Sequence, residues 1–226
     1  MRSKLTQNLT FLILTLFLSV SIISCKNEEK SEIQDEQVVN ANPNDSLFFK
    51  ISLAQWSLSK PIMEGKIDPM DFAQKANELG FTGIEYVSQL YSRQLEEGGN
   101  TPEAMQKLLD SLKSKSEQYN VENVLIMVDG EGDLASPEEE KRNQAVENHK
   151  KWVDAAEFLG AHAIRVNLFG TNDPEEWKTA ATDGLQKLSD YAAQKNINVL
   201  VENHGYLSSN AKLLTEVMES VDRKNA

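Results

Sequence analysis

A carboxylate, an amide and an imidazole close one short apolar stretch: Glu202, Asn203 and His204 follow Ile197–Val201, and Gly205 turns the chain away. Polar groups at the carboxyl end of a buried parallel strand cost several kcal/mol unless they bind something. Strand residues alternate faces, so Leu200, Glu202 and His204 point one way and Val201 and Asn203 the other. A carboxylate so placed can hold a cation or move a proton, and a nearby imidazole can orient it or bind a hydroxyl. The alternatives are structural: Glu202 paired with Arg165 across neighbouring strands, and His204 capping the next helix.

Other strand ends carry polar groups too: Gln55 and Trp56, Glu85, Asp129, and Arg165 with Asn167. Arg165 and Asn167 share a face and are candidates for binding substrate hydroxyls. Glu85 is a candidate for substrate or for supporting Glu202. Gln55 and Trp56 lie on opposite faces, so at most one enters a shared site; Trp56 there would stack on a ligand ring or pack as wall. His149 belongs to a helix on the outside, and His162 to the strand end away from the chemistry. Neither is read as a ligand.

The elements that position these groups repeat. Apolar strands are predicted at Phe49–Trp56, Gly83–Val87, Val124–Val128, Ala163–Leu168 and Ile197–Glu202, roughly 35 to 40 residues apart, the spacing of strand–helix units in a parallel sheet. Asp68-Pro69, Thr101-Pro102, Ser136-Pro137 and Asp173-Pro174 each set a capping side chain before proline at the first helical position. A fifth helix is predicted from Ser208 or Ser209. Gly80 and Gly160 are expected to end helices. Apolar faces run through Phe72, Ala76 and Leu79, then Trp152, Ala156 and Leu159, then Leu185, Leu188 and Ala192; Trp177 is expected to pack. No glycine-rich phosphate loop follows the first strand, which favours an α/β barrel over a nucleotide-binding open sheet.

Met1–Lys4 is a basic head and Leu9–Ile23 an apolar run, too short and lightly flanked for a membrane span. Residues 1–25 are therefore predicted to be a signal peptide. Ile22-Ile23-Ser24-Cys25 resembles a bacterial lipobox, which implies lipidation of Cys25, the sole cysteine. Residues 26–46 are polar and acidic, the composition of a flexible tether, and 47–226 is the folded domain. An envelope lipoprotein on the periplasmic or cell-surface side of a Gram-negative cell is expected. The formal net charge of -12 opposes nucleic-acid binding, which needs a positive footprint.

Leu53–Leu58, Leu79–Tyr86, Trp152–Asn167 and Val201–Gly205, in that order and spacing, resemble the xylose isomerase-like barrel superfamily, specifically its sugar phosphate isomerase/epimerase group. The resemblance covers 47–226 and implies a (β/α)8 TIM barrel of which about five strand–helix units are present. It implies a divalent metal held at the ends of strands five to eight, with Glu202 as first ligand and the other ligands beyond Ala226. Mg2+ or Mn2+ would suit an oxygen-rich site, and Zn2+ one richer in nitrogen or sulfur. The implied chemistry is proton transfer beside a sugar carbonyl through an enediolate, with Glu202 as metal ligand and proton shuttle. An exported enzyme would act on free or keto-sugars.

Keto-glycoside lyase or hydratase chemistry would use the same groups, and a non-catalytic carbohydrate-binding lipoprotein is the reading from another class. A DNA-repair endonuclease of the same superfamily is disfavoured by the acidic charge. A complete barrel takes about 250 residues, so 47–226 alone is expected to expose strand edges, to associate as a homo-oligomer or aggregate, and to lack metal-dependent turnover.

Overall fold

The computed structural model describes residues 50–226, which belong to one compact unit, Leu47–Ala226. The predicted signal peptide, Cys25, the tether and Phe49 lie outside the described residues. Five parallel strands pair in chain order: β1 (Ser52–Ala54), β2 (Gly83–Val87), β3 (Glu122–Val128), β4 (Ala163–Val166) and β5 (Asn198–Val201). Consecutive order with a helix after each strand is the arrangement of successive barrel units. Seven helices accompany the strands: α1 (Ser59–Met63), α2 (Phe72–Glu78), α3 (Ser92–Glu97), α4 (Pro102–Gln118), α5 (Glu139–Leu159), α6 (Pro174–Ala193) and α7 (Ala211–Val221).

The caps follow the sequence at three of the four proline sites. Asp68 accepts from the Met70 amide, Thr101 from Ala104, and Asp173 from both Glu175 and Glu176. Ser136 does not cap. It is buried, its amide bonds to the Asp133 carbonyl and its own carbonyl takes Arg142 Nη1 at 2.7 Å, so α5 begins only at Glu139. The last helix also starts later than predicted, at Ala211, capped by Asn210, because Ser208 and Ser209 close a 3-10 turn back onto Gly205. The short helices α1 and α3 have no sequence counterpart.

The first strand is also shorter than predicted. The Gln55 side-chain oxygen accepts from the Val87 amide at 2.9 Å in place of a ladder bond, and Gln55–Leu58 coils into a 3-10 turn. Between sheet and helices lies the main core, in which Phe72, Ala76, Trp152, Ala156, Leu159, Leu185, Leu188 and Ala192 are all buried as their periodicity predicts. Leu79 is the exception at 60% exposed, because α2 ends at Glu78 and Gly80 (φ +83°) redirects the chain. Trp177 is buried and donates from Nε1 to the Leu168 carbonyl at 3.0 Å. On the sheet's other face, Ile62 of α1 packs with Val87, Leu90 and Met127 in a smaller apolar cluster. That cluster fills the inner face toward β1–β3 and leaves a polar floor across β3–β5.

Candidate active site

The polar floor is assembled from the ends of three neighbouring strands. Parallel register sets Met127 beside Arg165 and Arg165 beside Leu200, so the residues two further on in β3 and β5, Asp129 and Glu202, flank Arg165. Its Nε lies 2.8 Å from Glu202 Oε2, and its Nη1 3.4 Å from Asp129 Oδ1 and 3.1 Å from Asn167 Oδ1. Asn167 in turn donates to Asp129 Oδ1 at 2.7 Å. The guanidinium side chain is 15% exposed and that of Glu202 38%. The pair thus joins a mostly covered cation to a carboxylate that still meets solvent. His204 Nδ1 sits 3.3 Å from the other Glu202 oxygen, and its ring stands edge-on to Phe169, centroids 5.8 Å apart.

These groups line a cavity of about 920 Å3, shared with Trp56, Glu85, Gln89, Phe169 and the loop 129–133. Of the residues named from sequence, the structure brings Glu202, His204, Arg165, Asn167, Glu85 and Trp56 to this one cavity. Trp56 is 49% exposed and available to a ligand face. Glu85 is half-buried and its carboxylate takes the Ser52 hydroxyl. Gln55 is not there: it is fully buried and its amide is spent on Tyr91 and Val87 inside the core. That corrects its reading as a substrate-binding residue. His162 lies at the opposite end of the sheet, exposed, as predicted.

Asp129, noted in the sequence as a polar strand end but given no role, anchors both Arg165 and Asn167, and the Ser88 hydroxyl, 2.9 Å from its amide nitrogen, holds its backbone. Two further contributors were missed. The loop Asp129–Asp133 adds Glu131 and Asp133 to the wall. His149, placed outside by its helix, is instead buried at 3% exposure and lines the cavity. The alternation of acid and glycine in Asp129-Gly130-Glu131-Gly132-Asp133 was the available signal for this wall.

The lining holds five carboxylates, Glu85, Asp129, Glu131, Asp133 and Glu202, against the one guanidinium of Arg165. Such a wall accepts hydrogen bonds from a polyhydroxyl ligand and repels an anionic one. As a metal centre the described residues do not suffice: no three His, Cys, Asp or Glu side chains among them converge for an ion, and Glu202 is committed to Arg165.

The chain matches a family model described as a xylose isomerase-like TIM barrel over residues 73–226. Among solved structures it is similar to the IolI protein with a binding zinc atom, at 17% identity over 78% of this chain and 60% of that one, TM-score 0.58. It is similar to a probable 3-DHS dehydratase, AsbF, from Bacillus anthracis, at 22% identity over 78% and 61%, TM-score 0.56. A D-psicose 3-epimerase in the presence of D-fructose aligns at 15% identity over 78% and 61%, TM-score 0.59. The chain thus spans about three fifths of the length of these structures. A search of curated proteins finds no match.

Proposed function

The chain belongs to the xylose isomerase-like TIM barrel family, and from that membership we propose that it is a sugar isomerase or epimerase acting on an uncharged sugar or keto-sugar. The observation that carries this reading is Glu202, a half-exposed carboxylate at the cavity mouth, fixed on one oxygen by Arg165 and flanked on the other by His204. A carboxylate held in this way can take the proton from the carbon next to a sugar carbonyl and return it to the neighbouring carbon or to the same one. Arg165 holds it aimed. Asn167 and Asp129 are placed to bind hydroxyls, and Trp56 to cover a ring face. The acidic lining favours a free sugar over a sugar phosphate.

In relatives of this fold a divalent ion would polarise the carbonyl. The described residues do not by themselves make its site, and every step given above rests on this chain's own groups. The resemblance of Ile22–Cys25 to a lipobox supports a lipid anchor on the periplasmic or cell-surface side of a Gram-negative envelope. Replacing Cys25 with Ser should move the protein from the membrane fraction to the soluble one.

The function is tested by solvent deuterium exchange, read by NMR. The full-length protein is incubated with D-fructose, D-psicose and a 3-keto-glucoside, each with and without Mn2+. Exchange at the carbon beside the carbonyl is expected, and Glu202→Gln should lower it by roughly 100-fold or more. Consumption of the 3-keto-glucoside with loss of its substituent would favour the lyase chemistry. Saccharide binding without any exchange would leave a carbohydrate-binding protein.

A further inference from the structure

His149 sits ten residues into α5, yet it lines the cavity beside the loop that follows β3. The wall is fastened to that helix around it. Asn148 donates to the Glu131 carbonyl at 3.1 Å, Trp152 Nε1 donates to Glu131 Oε1 at 2.6 Å, and Lys151 Nζ stands 2.8 Å from that same oxygen. Gly132 lets the loop press on the helix one turn before His149: a Cβ there would come within 3.2 Å of the Ala145 Cβ. The imidazole is 3% exposed, and its Nδ1 lies 2.7 Å from the Ala145 carbonyl of its own helix, which requires a proton on Nδ1. Burial lowers the proton affinity of the ring below the ordinary 6.5, so at neutral pH it is uncharged and Nε2 carries a lone pair. Nε2 has no hydrogen-bond partner among the described residues, yet it is not among their fully enclosed unpaired polar atoms, and His149 lines the cavity.

We infer that His149 Nε2 is a substrate-binding acceptor: it receives a hydrogen bond from a sugar hydroxyl on the β3 side of the cavity, opposite the carbon that Glu202 addresses. Resting on the isomerase or epimerase reading above, it assigns the remote hydroxyls of the substrate to a fixed wall. A buried acceptor left unpaired costs free energy; a hydroxyl donor satisfies it, whereas a deoxy position does not. His149 therefore selects for a hydroxylated carbon at that position and does not itself exchange the proton.

The test follows the His149 imidazole nitrogens by 15N NMR in the full-length protein while D-fructose or D-psicose is added, alongside binding calorimetry on two variants. His149→Asn keeps a donor toward the Ala145 carbonyl and removes Nε2; His149→Gln returns an amide near the Nε2 position. The expected result is a shift of the Nε2 resonance on saturation, binding weakened about 3- to 10-fold in His149→Asn, and partial recovery in His149→Gln. An unmoved Nε2 resonance in a wild-type protein that binds the sugar overturns the assignment and leaves the proposed function standing, whether or not the variants fold. Equal binding by wild type and His149→Asn does the same. A wild-type protein that binds none of D-fructose, D-psicose and a 3-keto-glucoside overturns both.

Discussion

Arg165 is the residue on which the site's geometry turns, because it alone bridges the strand ends that carry Asp129 and Glu202. Arg165→Met should reduce sugar exchange at least 10-fold while unfolding temperature changes little, since a pair in which one partner is over a third exposed contributes about 1 kcal/mol or less. Arg165→Lys should restore only part of the rate, because an ammonium cannot span the two carboxylates as a planar fork does. His149 makes a prediction of another kind. Burial lowers its proton affinity; the Ala145 carbonyl, Glu131 and Asp129 oppose that shift, and Lys151 adds to it. The unfolded chain therefore binds the proton near pH 6.5 while the folded one refuses it. Stability should be full above that pH, fall as pH drops below it, and level off once pH is under the folded value. Urea denaturation from pH 8 to 4 checks this, and the step near 6.5 should vanish in His149→Asn. Glu202, Arg165 and Asn167 were legible in the sequence because strand ends advertise themselves as polar residues after an apolar run. His149 was not, since helical periodicity shows which stripe is buried but not that one buried ring opens onto a cavity.

Helices and loops fix the wall that His149 completes. Gly184 of α6 is the contact point: a Cβ there would strike the Leu134 carbonyl, and at Gly170 one would strike the Ala135 backbone. Ala135 also donates to the Phe169 carbonyl at 3.0 Å, so the loops after β3 and β4 are stitched together beside the cavity. Gly184→Ala should therefore destabilise the fold by about 1–3 kcal/mol through overpacking and weaken sugar binding, both read from thermal melts and calorimetry. Asp173→Ala, which removes two capping bonds at the start of the same helix, should cost about 1 kcal/mol without altering binding. The proline-marked starts were readable because an N-cap is a local device. Ser136-Pro137 misled because Arg142, held by Asp183 at 2.6 Å, claims the Ser136 carbonyl and delays the helix. That is a tertiary demand with no local signature.

At the scale of the molecule, β1 and β5 are the edge strands of the sheet among the described residues, and its inner face carries Leu200 at 42% exposure. At the start of β5 the Val199 amide donates to the Asn225 carbonyl at 2.7 Å, and the Asn225 side-chain amide donates to the Ile197 carbonyl, so the segment after α7 covers that end of the edge. A fragment of residues 47–226 expressed alone should self-associate through these edges and the inner face, and Leu200→Lys should lower the association measured by sedimentation. The order of strands and their helices followed from periodicity alone, because each unit repeats the same local grammar. The clamp between loop 129–133 and α5 also bears on how the molecule comes into being. Its bonds join residues 17 and 21 positions apart, whereas Asp129 meets Arg165 and Asn167 across 36 and 38. Closing the shorter loop costs less chain entropy, and every residue of the clamp leaves the ribosome before Glu202 is made. The wall around His149 is then a mould already set when Glu202 arrives, and the growing chain builds the β5 side of the cavity against a finished surface.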